Sequence, residues 1–189
     1  NAMKAIRCDL PYAETIEIHP MADLHIGDFN SDYKSILERI EYIKRTENAY
    51  CILDGDLMDT AIASSIGDTY GANLQPMEQL KQCVKIFEPI KDKILGAVGG
   101  NHERRTSKEA DQDPLYDVMT RLGIEDVYRQ NICFMQVKLT YPANGKDKQR
   151  VAWSFAITHG AGGGQYIGSS ANRVQNFGMA VEGIDCLIT

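Results

Sequence analysis

The sequence predicts an α/β domain with a parallel core, and three observations carry that prediction. Short apolar runs alternate with segments of helical period between Thr15 and Gly123. Two later runs, "NICFMQVKLTY" and "RVAWSFAITHG", flank "PANGKDKQ", whose Asn144-Gly145 signals a hairpin turn. The 189 residues, 43% hydrophobic and 24% charged, can bury one core, with no repeat or internal boundary along residues 1–189.

The elements follow in order. "TIEIHPMADLH", Thr15 to His25, reads as a strand emerging into a loop. Tyr33, Ile36, Leu37, Ile40 and Ile43 then share a helical face, with Ser31 as the N-cap. "AYCILDGD" is a short buried strand, followed by an aperiodic polar stretch from Thr60 to Gln75. Pro76 opens a second helix with Met77, Leu80, Val84 and Phe87 on one side. "KILGAVGGNHE" is the third strand, and Leu115, Val118, Met119 and Leu122 mark a third helix that Gly123 ends. After the hairpin comes a glycine-rich loop, Gly160 to Gly178, and then a last strand, "IDCLIT". The order β-α-β-α-β-α, then antiparallel strands, is that of a parallel core with an added sheet.

Composition narrows the function. The formal net charge of −6 argues against coating duplex DNA through phosphate contacts, though bound cations would admit a phosphate substrate. Cys8, Cys51, Cys83, Cys133 and Cys186 are odd in number, lie far apart and form no CxxC pair. They read as reduced, mostly buried thiols of a cytoplasmic protein. No apolar run reaches the roughly 20 residues of a membrane span. Asn1 and Ala2, ahead of Met3, read as a cloning remnant.

Chemistry concentrates at strand ends. The first strand carries Asp23-Leu24-His25, the second "GDLMD" with Asp56 and Asp59, the third Asn101-His102, and a later one His159. On an extended chain, residues i and i+2 point the same way, so Asp23 and His25 can converge on one ion. Ligands of open α/β sheets bind at the C-terminal strand edge, where these residues would gather. Three of the four histidines are among them, while His19 reads as a structural strand residue. Two carboxylates about 4 Å apart repel by roughly 4 kcal/mol at an effective dielectric near 20. A divalent cation between them reverses that sign. Oxygen and imidazole donors without thiolate suit manganese, with iron or zinc as alternatives.

The ordered set "DLHIGD", "GDLMD", "GNHE" and "THG" resembles the calcineurin-like metallophosphoesterase family over nearly the whole chain. The resemblance implies an α-β-β-α sandwich with mixed sheets and two divalent metal ions. By it, Asp23 and His25 hold the first ion, Asp56 bridges both, and Asn101 and His159 hold the second. By the same resemblance His102 sits outside the ions and protonates the leaving oxygen or steadies the phosphoryl charge, and Asp59 orients it. Spacing alone leaves Asp59 equally a capping or turn residue. The family's last motif, Gly-His-x-His, would begin where this chain stops at Thr189, so the sandwich is expected to be C-terminally incomplete and its metals weakly held.

The implied activity is hydrolysis of phosphate esters, first of all phosphodiesters of nucleotides or nucleic acid. A phosphomonoesterase and an inactive protein-binding scaffold of the same fold are the alternatives. Arg104 and Arg105 could clamp a phosphate, or form surface ion pairs with Glu103, Glu109 or Asp111. The glycine-rich loop has no GxxxxGK[ST] and is not a P-loop. Tyr70 and Tyr166 lie in long loops where a base could stack, though a lone loop tyrosine usually does nothing so specific, and Lys146, Lys148 and Arg150 read as a solvated hairpin tip.

Overall fold

Period-two alternation, with Ile6 and Leu10 buried and Arg7 and Asp9 exposed, makes Ile6–Pro11 the first strand, β1. The computed structural model describes residues 4–60, 74–140, 150–160, 175, 176, 178 and 182–189. The Asn144-Gly145 turn, Lys146, Lys148, Tyr70, Tyr166 and most of the Gly160–Gly178 loop lie outside them.

The remaining strands are β2 (Glu17–Met21), β3 (Ala49–Asp54), β4 (Ile94–Val98), β5 (Tyr128–Arg129), β6 (Cys133–Thr140), β7 (Arg150–Ile157) and β8 (Cys186–Ile188). They form two four-stranded sheets. One, in the order β2-β3-β4-β5, is wholly parallel. The other, β1-β6-β7-β8, is mixed, because only β6 and β7 run antiparallel. An α/β fold with mixed sheets is therefore present, as the sequence indicated. Two strands it did not indicate, β1 and β5, complete the sheets.

The helices are α1 (Tyr33–Arg45), α2 (Pro76–Phe87), α3 (Asn101–Ala110) and α4 (Pro114–Leu122). Ile36, Ile40 and Ile43 of α1, Leu80, Cys83, Ile86 and Phe87 of α2, and Leu115, Val118, Met119 and Leu122 of α4 cover one face of the parallel sheet. The other face, with Ile52, Leu95 and Val98, packs against Met135, Val137, Leu139 and Ile157 of the mixed sheet. The described residues thus stack as helices, sheet and sheet.

Several local expectations are corrected. Ser31 does not cap α1; Asp32 does, its carboxylate accepting from the Ser35 N–H at 3.1 Å. Ser31 instead donates its hydroxyl to the Leu24 carbonyl. Leu37 and Met77 are exposed, because the buried faces run through Ile36, Ile40 and Ile43 and through Gln79, Leu80, Cys83, Ile86 and Phe87. Gly123 does end α4, at φ 72°. The cysteines are free: Cys51, Cys83 and Cys133 are buried, Cys8 is half-buried and Cys186 is exposed. His19 pairs with Glu17 at 3.1 Å on β2. Among the described residues no helix is long and apolar enough to cross a membrane.

Candidate metal centre

The C-terminal ends of β2, β3, β4 and β7 bring the strand-end residues together. Asp56 is the hub. One group of ligand atoms, from His25, Asp56 and His102, lies within 4.8 Å of one another, and a second joins Asp23, Asp56 and His159 by the same measure. Asn101 belongs to the second side, since its Oδ1 lies 3.3 Å from His159 Nε2.

The backbone that does this is strained. Asp23, His25 and Asp56 have φ of 52°, 46° and 49°. Left-handed backbone costs a non-glycine residue roughly 1–2 kcal/mol and persists only where its surroundings enforce it. Here the enforcement is a ladder between two loops. Asp23 N–H donates to the Gly55 carbonyl at 3.1 Å, His25 N–H to that of Asp56 at 3.1 Å and Ile26 N–H to that of Leu57 at 2.8 Å. Asp23 and His25 are therefore not on extended chain, contrary to the i, i+2 argument. They fall into different groups, although His25 Nε2 and Asp23 Oδ1 remain 3.9 Å apart.

Glycines allow the close approach. A side chain on Gly100 would collide with Asp56 Oδ1 and its backbone nitrogen, and one on Gly55 would lie 2.6 Å from Gly100 Cα. Asn101 and His102 are the first residues of α3 rather than the tip of a strand. That placement aims the positive helix end at the hub, and the His102 N–H donates to Asp56 Oδ1 at 2.8 Å.

Glu103 holds the two halves together. Its Oε1 accepts the N–H groups of Leu57 at 2.9 Å and Met58 at 3.4 Å, and its Oε2 those of Asp56 and Gly100, both at 3.0 Å. The side chain is buried, so it is not the surface ion-pair partner of Arg104 or Arg105. Burial and nearby Asp56 push its pKa up, against the backbone N–H bonds. Both oxygens face donors, so the ionised carboxylate is the form that fits.

Arg104 turns back on its own helix, donating from Nε to the Gly100 carbonyl at 3.0 Å. Arg105 is half-buried, and among the described residues neither arginine forms an ion pair. Asp111 is exposed at the end of α3, while Glu109 lies outside the described side chains. His102 is oriented chiefly by the main-chain carbonyl of Asp59, 2.6 Å from Nδ1, rather than by its carboxylate, 3.6 Å away. The Asp59 carboxylate stands between two rings, 4.0 Å from His25 Nδ1.

The donor set fits a cation. His159 gives its Nδ1–H to the Asp54 carbonyl at 2.6 Å, so its Nε2 lone pair faces Asp56 Oδ2 and Asn101 Oδ1, each at 3.3 Å. In this arrangement the three acceptors repel one another, and a positive charge between them removes that cost. With no metal bound, a proton serves. Burial would raise the Asp56 pKa, but the His159 hydrogen bond and the His102 N–H hold it at about 2. The bond to Asp56 lifts His159 to about 9 against its burial. Asp54, outside the motifs of the sequence, adds a third buried carboxylate whose Oδ1 has no hydrogen-bond partner among the described residues. Burial pushes its pKa up to about 6. Its only signal in the sequence is a carboxylate closing an otherwise apolar strand.

This pair makes a prediction for chelator-treated protein. The depressed Asp56 pKa contributes stability present above its ordinary 3.8 and lost as pH falls through about 2. The raised His159 pKa contributes stability present below 6.5 and lost as pH rises through about 9. In thermal melts in EDTA this pair's contribution should thus be complete between roughly pH 4 and 6.5, a range in which the raised Asp54 pKa makes stability fall until about pH 6. Above it the protein should lose on the order of 2 kcal/mol by the far side of pH 9. A melting temperature that holds level or rises across that window would contradict the pairing.

No model of a known protein family matches the chain, and no curated protein matches it.

Proposed function

We propose that the chain is a metal-dependent hydrolase of phosphate esters, a metallophosphoesterase of the calcineurin-like kind with a dinuclear centre in an α-β-β-α sandwich. Its substrates would be phosphodiesters of nucleotides or nucleic acid. The observation that carries this reading is the position of Asp56, shared between a His25/His102 side and an Asp23/His159 side. Asp56 would bridge, with His25 toward one ion and Asn101 and His159 toward the other; Asp23, which the resemblance gives to the first ion, groups with His159 here and lies 3.9 Å from His25. Two divalent ions, manganese first and iron or zinc as alternatives, would supply Lewis acidity for a phosphoryl group and an activated water when bound.

The chain's own groups have separable tasks. The α3 N-terminus and the Asp56 backbone fix the hub. His102, its Nδ1 turned to the Asp59 carbonyl, presents Nε2 to the site 3.9 Å from Asp56 Oδ2, where it can deliver a proton to a departing oxygen. Arg104 and Arg105, beside it on α3, are the proposed phosphate-side cations. The net charge of −6 leaves little long-range attraction for duplex DNA, which favours nucleotides or short single strands.

The test is hydrolysis of bis-p-nitrophenyl phosphate and p-nitrophenyl phosphate in manganese, with His102→Ala beside the parent. His102→Ala should lower kcat by about 10²–10⁴-fold while the bound metal stays constant by elemental analysis. Loss of an ion together with activity would make His102 a ligand instead. A folded, metal-loaded parent that cleaves neither ester would overturn the hydrolase reading.

A further inference from the structure

Among the described residues Phe29 makes no packing contribution that explains its position. It is 75% exposed, on the turn that leaves the candidate centre. That turn is built, not loose. Asp28 N–H donates to the His25 carbonyl at 2.9 Å, and Ser31 N–H to that of Asp28 at 3.3 Å. Asn30 N–H donates to Asp28 Oδ1 at 2.6 Å, Gly27 N–H to the Tyr33 hydroxyl at 2.9 Å, and the Ser31 hydroxyl to the Leu24 carbonyl at 2.8 Å. Phe29 and Asn30 are the two central residues of the second turn, where polar residues, glycine or proline are the usual occupants. The sequence instead fixes an aromatic ring outward at a corner whose backbone is already satisfied.

The corner is close to the chemistry. His25 to Asp28 is one turn, which keeps its end Cα atoms within about 7 Å, so Phe29 Cα lies within roughly 11 Å of that of His25. At that separation an aromatic side chain on the corner can reach a part of the substrate that extends beyond the phosphate. The chain's charge of −6 also makes contact with an uncharged part of the substrate the more useful source of affinity.

We infer that Phe29 is a stacking platform for a nucleobase of the substrate, a specificity residue at the rim of the centre. This rests on the phosphoesterase reading for its catalytic arm only. An aromatic face takes any base, so the preference would be for nucleosides over simple alkyl esters rather than for one base.

The experiment compares two diesters with one leaving group, thymidine 5′-(p-nitrophenyl phosphate) and methyl p-nitrophenyl phosphate. Phe29→Ala should lower the nucleoside-to-methyl ratio of kcat/KM about tenfold, through KM, and Phe29→Trp should keep it. A ratio unmoved by Phe29→Ala overturns the inference. A second readout needs no turnover. In manganese-loaded Phe29→Trp, thymidine monophosphate or oligothymidylate should quench the new indole saturably, whereas the single native Trp153 should not respond. If neither ester is cleaved, the hydrolase reading fails while the quench still decides: saturable quenching supports the platform, and none overturns it. Stronger quenching by the oligonucleotide would assign a strand rather than a mononucleotide.

Discussion

Glu103→Ala should destabilise the protein by about 4 kcal/mol or more, well beyond the ordinary effect of a point substitution. The carboxylate accepts N–H groups from Asp56, Leu57, Met58 and Gly100. Removing it leaves four buried donors without partners, each worth about 1–3 kcal/mol. Their sum is reduced by whatever water reaches the cavity. Glu103→Gln keeps the volume but turns an amide N–H₂ toward N–H donors, so it should lose roughly half as much. Urea unfolding at neutral pH checks both. Because Glu103 ties the loop after β3 to the start of α3, both variants should also loosen the spacing of Asp56 from Asn101 and His102. Metal affinity should then fall with stability. Gln behaving like the parent in urea and in metal binding would show that the N–H cluster needs no carboxylate.

Asp56→Asn should remove the centre while leaving the fold. Substituting an outer partner of a metal site typically costs 10–100-fold in affinity. A shared ligand should cost more than about 100-fold at each of two ions. Calorimetric titration with manganese should show both events weakened together, and hydrolysis should fall with them. The variant should remain folded by circular dichroism, since Asp23 and Asp54 lie nearby and the loss of one carboxylate relieves repulsion as well as attraction. Weakening of one ion alone would mean that Asp56 belongs to a single site.

The strand-end residues were legible because each follows an apolar run, and parallel strands deliver their ends to one edge. Asp23, His25, Asp56, Asn101, His102 and His159 come together for that reason. What the spacing could not reveal was how they are grouped. Left-handed backbone at Asp23, His25 and Asp56 turns side chains in ways an extended chain does not. Glu103 shows a second limit. In a polar run with Arg104 and Arg105 it looks like a surface charge, and its burial depends on N–H donors about 46 residues away. The same holds for Gln79, buried against Thr60 N–H at 2.9 Å while Met77, two positions earlier, is exposed. A hydrophobicity count ranks those two residues the other way round. The strand β1 had its alternation in plain view, but its charged alternate positions and Pro11 hid it.

The central claim is that one carboxylate is shared by two cations, and electron paramagnetic resonance of the manganese-loaded protein tests it most directly. Two ions bridged by Asp56 would be about 3.5–4 Å apart. At saturating manganese the parent should give an exchange-coupled pair signal, absent in Asp56→Asn. Only isolated six-line spectra in the parent, with one ion or none per chain at saturation, would contradict it.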